Sequence, residues 1–357
     1  MTSLNTSVPA VDSGLMNSGF SWHWSLKDLP EPTCGKVFTT FACGGGSSMG
    51  YKRAGFEVVG AVEIDPKIAA MYRANHHPRH LYRMDLRDFN SLPDEELPEE
   101  LFGIDILDGS PPCTVFSTAG KREAGWGVEK QFREGQAKQR LDDLFFVFIE
   151  TVRKLQPKAV VAENVPGLLH KNARGYVNQI VREFRDAGYD VQIFSLNTAY
   201  MDVPQARHRV FFIANRIGYP KLKLDFHSRP IPFGEVRSTH GVPVSASTVK
   251  GSLMAHIQPG DKALEDVYFR LTGRRGKFFT DFVVHDGNVC GAVASTGDYA
   301  RGCDRTKLSE EDFIAVQSFP YDYDFCGNDV QYVTGMSVPP NAMAHIAQEI
   351  YRQWLRK

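Results

Sequence analysis

No stretch of this sequence stays apolar for the ~20 residues that a membrane-spanning helix needs. Cysteine is scarce as well. The six residues, at 34, 43, 113, 290, 303 and 326, include no C-x-x-C pair, which argues against the common zinc spacings and against a dense disulfide framework. The opening MTSLNTSVPAVDSG has neither a basic segment nor an apolar one, so no secretory signal is expected there. Net charge is nearly absent, at -1 from 41 basic and 42 acidic side chains, which excludes a uniformly basic surface but permits a local basic cleft. No internal repeat is found. These absences lead us to expect a reduced, cytoplasmic protein without a metal site or membrane partner. What is present is an ordinary globular composition, 42% apolar and 23% charged. At 357 residues the chain can bury one large core, or a core and a smaller module.

Residues 1–35 are rich in Ser, Asn and Pro and read as a flexible leader. Phe20–Trp24, FSWHW, is the exception: so many aromatics are expected to pack on the core, with a partner or DNA contact as the sharper alternative. From Lys36 strand and helix patterns alternate. KVFTTFA, EVVGAVEI, GIDILDG, KAVVAEN, YDVQIFSL and RVFFIAN read as strands, and a further strand is expected before Asp85. Helices are expected at Ser47–Ala54, through PKIAAMYRAN, in the amphipathic LDDLFFVFIETVRKL ended before Pro157, and in ARGYVNQIVREFRDAG with its glycine stop. The pattern predicts an α/β fold with a doubly wound, mostly parallel sheet over residues 36–215. Around Arg216 the alternation ends. Residues 216–305 carry 13 Lys and Arg against 9 Asp and Glu and read as a smaller, irregular β-containing domain. The 306–357 segment ends in the amphipathic PNAMAHIAQEIYRQWLRK, which is expected to return to the first core.

FACGGGSSMG follows the first strand and opens the first helix, where glycines let the backbone approach a ligand and a helix N-terminus favours negative charge. Glu63 ends the second strand 17–19 residues further on, the place for an acid that accepts ribose hydroxyls. Asp85 is placed to meet an adenine edge. Gly44, Gly46 and Gly50 give G-x-G-x-x-x-G, with Met49 where a dinucleotide fingerprint needs its third glycine. S-adenosylmethionine therefore fits the loop better than a dinucleotide.

Cys113, in GSPPCTVFS, lies just past the strand GIDILDG, at the carboxyl edge where such sheets bind ligands. Pro111 and Pro112 fix the backbone before the thiol. Glu163–Asn164–Val165 follows the next strand to the same edge, and Gln205–Arg209, QARHR, brings two arginines nearby. A thiol, a carboxyl group and fixed cations beside a cofactor loop form a constellation suited to covalent catalysis. The stretch Ser117–Arg140 has the glycines and cations of a lid that grips phosphates.

The ordered blocks FACGGGSSMG, the Glu63 strand, PPC, ENV, QARHR and the late LSEEDFIAVQSFP…GMSVPPNAMA resemble those of the DNA (cytosine-5) methyltransferases, from Lys36 to the C-terminus. The resemblance implies a Rossmann-like methyltransferase fold with a target-recognition domain at 216–305. It implies Cys113 as nucleophile, Glu163 as acid, and Arg209 with Arg207 at the substrate. Phe41, Cys43, Gly44, Gly45, Gly46, Glu63, Ile64, Asp85, Leu86, Pro111, Ser337 and Val338 would bind S-adenosylmethionine. Ser117, Lys121, Arg122, Gln205, Arg270, Arg274 and Arg275 would meet double-stranded DNA, with the base flipped out. A monomer in a bacterial or phage setting is expected, beside the nucleoid, with a cognate restriction endonuclease acting separately. Four positions depart from the family pattern: Thr40 where an acid is usual, Cys43 for glycine, Thr114 for Gln and Met336 for Asn. The first and last bear on cofactor grip. The alternatives are a tRNA cytosine methyltransferase of the same fold and a DNA-binding homologue with weakened catalysis; a dehydrogenase is disfavoured by the glycine spacing.

Overall fold

The computed structural model describes residues 19–112, 143–169 and 173–356. Eight strands and five helices come first in the chain: β1 (Lys36–Thr40), α1 (Gly46–Arg53), β2 (Glu57–Val62), α2 (Pro66–His76), β3 (His80–Tyr82), α3 (Leu86–Ser91), β4 (Ile106–Gly109), α4 (Leu144–Leu155), β5 (Ala159–Asn164), α5 (Arg174–Asp186), β6 (Tyr189–Asn197), β7 (Gln205–Ala206) and β8 (His208–Arg216). Seven of these strands form one sheet in the order β3-β2-β1-β4-β5-β8-β6. The pairs from β3 to β5 are parallel, whereas β8 runs antiparallel to both neighbours. The link from β6 to β8 holds only residues 198–207, too few for the helical crossover that a parallel neighbour requires.

Side chains alternate along each strand into two cores, as the pleat demands. Phe38, Leu107, Val160 and Phe212 join Phe145, Phe148, Ile149, Val152 and Phe184 of α4 and α5 on one face. Val37, Ile106, Val161 and Phe211 join Tyr51 of α1 on the other. There they also meet Met343, Ile346 and Ile350 of a late helix. Each such large apolar side chain contributes about 1.5–3 kcal/mol on burial. Helices on both faces are what the near-continuous apolar strands required.

The remaining elements are α6 (Val249–Met254), α7 (Leu264–Thr272), β9 (Asp281–Val284), β10 (Cys290–Gly291), β11 (Asp298–Arg301), α8 (Glu310–Val316), α9 (Val330–Met336) and α10 (Pro340–Ile350). β9 and β11 pair in parallel, and β10 pairs with β7. A further core draws on Phe233, Val284, Val293 and Tyr299 and also on Leu308, Phe313 and Val316. Of the FSWHW aromatics, Trp24 is buried and donates its indole N–H to the Ser318 carbonyl at 2.9 Å, while the Arg53 guanidinium lies over Phe20 and Trp24. Packing on the core is the finding for Trp24. Among the described residues no helix is long and apolar enough to cross a membrane.

Candidate active site

The carboxyl ends of β1, β2, β3 and β4 surround a cleft of about 830 Å³, part of it continuous with solvent. Phe41, Cys43, Val62, Glu63, Ile64, Asp65, Ile68, Met84, Asp85, Leu86, Ser110, Pro112, Leu144, Tyr332 and Met336 line it. Its size and its mixture of apolar walls with a few carboxylates are those of a small-molecule site. Phe41 and Cys43 hold φ of 53° and 47°, left-handed values that cost side-chain-bearing residues roughly 1–3 kcal/mol each. The Phe41 turn ends β1 at Thr40, short of the strand expected through Ala42, and directs the chain to the cleft rim.

Glu63 is buried and accepts the Cys43 N–H on one oxygen and the Asp65 N–H on the other, both at 2.9 Å. A carboxylate has about four lone-pair sites, and with the Ile64 N–H also directed at it Glu63 keeps capacity for a ribose hydroxyl. Asp85 caps α3 through the Arg87 N–H and also pairs with the Arg87 side chain while facing the cleft. The glycines pack closely against the protein behind them. Gly44, Gly45 and Gly46 do not line the cleft. A Cβ on Gly45 would fall 2.0 Å from the His76 ring and one on Gly46 2.0 Å from the Val338 carbonyl, so the loop needs glycine to pack against protein behind it. Ser337 and Val338 are that backing: Ser337 is buried with its hydroxyl donated to the Val333 carbonyl, and Val338 belongs to the core. Helix α9 (Val330–Met336), which they follow, presents Tyr332 and Met336 to the cleft. Pro112, not Pro111, forms the wall, because the Pro111 carbonyl is turned to accept the Asn164 side-chain N–H at 3.0 Å.

That Asn164 bond ties the end of β5 to the two-proline turn across 53 positions of sequence. Beside it, the Arg209 Nε lies 2.9 Å from the Glu163 carboxylate in an ion pair, with both side chains largely withdrawn from solvent. Arg207 does not join the pair. It is buried and donates to the Val293 and Gly335 carbonyls, and burial lowers its pKa to about 9. Gln205, expected on DNA, is fully buried: its amide serves Val316, Gln317 and Val293. Both residues stitch the segment from β7 into β8 to the later elements, since alternate positions on it face inward. Arg270, also expected on DNA, makes two bonds to the Asp261 carboxylate at 2.7 and 2.9 Å and braces α7 against the turn before it. Arg274 and Arg275 are exposed. Cys113, Thr114, Ser117, Lys121 and Arg122 lie outside the described residues.

Sequence reasoning passed over Asp108. It is buried at the end of β4 and accepts the Thr39 hydroxyl at 2.9 Å and the Tyr51 hydroxyl at 3.1 Å, while the Thr40 hydroxyl binds its backbone carbonyl. Burial pushes the Asp108 carboxyl up to about 7; hydroxyl donors from Thr39, Tyr51 and Ser47 oppose the rise and the charge on Glu163 adds to it. An acid whose folded pKa lies above its unfolded value stabilises most below that unfolded value, and the contribution is lost as pH rises through about 7. Asp108→Asn removes the charge that must otherwise be buried. The melting temperature of the variant is therefore expected to gain on wild type from pH 5 to pH 8, by a free energy on the order of 3 kcal/mol at most. Parallel melting curves across that range would contradict the assignment.

The C-5 cytosine-specific DNA methylase family model matches residues 35–255. The chain is 36% identical over 181 residues to the Type II methyltransferase M.NgoPII of Neisseria gonorrhoeae, covering 51% of this chain and 48% of that protein. It is 28% identical over 341 residues to the Type II methyltransferase M1.HphI of Haemophilus parahaemolyticus, covering 87% and 85%. The chain thus spans about half the length of the first of these relatives and most of the second. A solved structure of a Spodoptera frugiperda DNMT2 variant superposes with a TM-score of 0.60 at 15% identity, covering 88% of this chain and 99% of that one. S. pombe Dnmt2 methyltransferase superposes with a TM-score of 0.58 at 13% identity, covering 88% and 98%. At those identities the two structures speak for the fold alone.

Proposed function

The chain belongs to the C-5 cytosine-specific DNA methylase family, and from that premise we propose that it transfers the methyl group of S-adenosylmethionine to C5 of a cytosine flipped out of duplex DNA. The observation that carries this reading is the Glu163–Arg209 pair, held at the sheet edge beside the cleft and tied through Asn164 to the turn that leads to Cys113. A carboxyl group next to a guanidinium complements N3 and O2, adjacent atoms on one edge of cytosine.

The cleft fits the cofactor: Glu63 keeps acceptor capacity for a ribose hydroxyl, and Phe41, Ile64 and Leu86 offer apolar surface to a base. When bound, S-adenosylmethionine supplies an electrophilic methyl group. The chain's own task is to make C5 nucleophilic. The Cys113 thiolate adds to C6, Glu163 gives a proton to N3 as the ring electrons shift toward C5, and Arg209 holds O2. After C5 has gained its methyl, a base removes the C5 proton. The thiolate then leaves C6, and N3 returns its proton to Glu163. C6 is inaccessible in a stacked duplex, which is why the base must leave it. Ser117, Lys121 and Arg122 would contact the DNA backbone, and residues 216–305 would read base edges. Labelled methyl transfer to duplex DNA and to tRNA, side by side, tests the substrate. We expect label in duplex DNA; label in tRNA alone would overturn the reading.

A further inference from the structure

We infer that the loop Gly273–Phe279 is a preformed hook that reads base edges of duplex DNA through Arg274 and Phe279; this rests on the DNA reading above. Three independent features converge on it. The first is shape. Glu265, nearly buried in α7, accepts the backbone N–H groups of Gly276, Lys277 and Phe278 at 2.5, 3.2 and 3.1 Å. The loop enters and turns through Gly273 and Gly276, whose φ values of 69° and 95° lie in the left-handed region that favours glycine. Phe278 anchors it from beneath, edge-on to Tyr268 at 5.3 Å. One carboxylate on three successive amides fixes a backbone that has no helix or strand of its own.

The second feature is what the fixed backbone displays. Phe279 is 64% exposed, and Leu271, Phe269 and Phe282 nearby are 51%, 41% and 40% exposed. So many large apolar groups on one short segment are unusual for a surface facing only water. The third is charge. Residues 273–280 carry Arg274, Arg275 and Lys277 and no acid. The Arg275 guanidinium lies over the Phe269 ring at 3.9 Å, and Arg274 has no side-chain partner among the described residues. A cationic rim around an exposed aromatic is complementary to a polyanion with apolar base surfaces, and a fixed frame suits sequence reading better than loose phosphate binding. An arginine can take guanine O6 and N7 together, and a phenylalanine can cover a thymine methyl. Lys277 and Arg275 are left for phosphates. Arg270, spent on Asp261, takes no part.

The test compares wild type, Phe279→Ala and Arg274→Ala on the sequence that wild type methylates and on its single-base-pair variants. Each substitution is expected to lower kcat/KM on the preferred duplex roughly 5- to 150-fold and to relax discrimination at one or two adjacent positions. Affinity for S-adenosylmethionine without DNA, and melting temperature, are expected to stay at wild-type values, since neither side chain supports the core. If both variants keep wild-type kcat/KM and discrimination, the hook is overturned while DNA methylation stands. If wild type methylates no duplex, the parent reading falls and the hook with it. A uniform loss on all sequences without relaxed discrimination would also overturn it, assigning the loop to phosphate contact only.

Discussion

Cys113→Ala is expected to abolish methyl transfer to duplex DNA, lowering the rate by roughly 10⁴-fold or more, because in the proposed route the Cys113 thiolate takes the first step. C5 of cytosine is too weakly nucleophilic to attack a methyl sulfonium. Only addition at C6 turns the ring into an enamine with its electron density at C5. The turn that precedes Cys113 is held twice, by the two prolines and by the Asn164 bond to the Pro111 carbonyl. A duplex with 5-fluorocytosine at the target separates this from a general loss of binding. Fluorine at C5 cannot leave as a proton does, so the adduct persists after methyl transfer. Wild type should form a complex that survives denaturation, and Cys113→Ala should form none. Efficient methylation by wild type with no such complex would contradict a covalent route.

Glu163→Gln is expected to cost about 10²- to 10⁴-fold in kcat, the range of a lost general acid. The amide still offers an oxygen to the Arg209 Nε, so the pair keeps its geometry and the melting temperature should move little. It cannot, however, hand a proton to N3 as the thiolate adds. Affinity for S-adenosylmethionine should be unchanged, since Glu163 is not among the groups that line the cleft. A fall in cofactor affinity equal to the fall in rate would move Glu163 from proton transfer to cofactor support. A loss smaller than threefold would remove it from the chemistry.

The sheet was legible because burial on both faces leaves a strong mark: near-continuous apolar runs such as KAVVA admit few other readings. The site's edge was legible for the same reason, since strand ends place Glu63, Pro112 and Glu163 on one side. What periodicity cannot carry is the partner of a polar group. QARHR reads as a basic run, yet Gln205 and Arg207 point inward to Gln317, Val293 and Gly335, far away in sequence. Arg270 looks free until Asp261 is seen beside it. The glycine loop shows the same limit. Its composition announces close approach, but only the fold reveals that His76 and Val338 are what comes close. Asp108 escaped notice because a lone acid in a strand end has no pattern; its three hydroxyl neighbours come from β1 and α1.

The most direct measurement is the chemical identity of the product base. Duplex DNA incubated with the protein and labelled S-adenosylmethionine is digested to nucleosides, which are separated and identified by mass. The account predicts label in 5-methylcytosine alone, and none when Cys113 is alanine. Label in a methyl group on an exocyclic nitrogen of cytosine or adenine, or 5-methylcytosine formed equally well by the alanine variant, would contradict it.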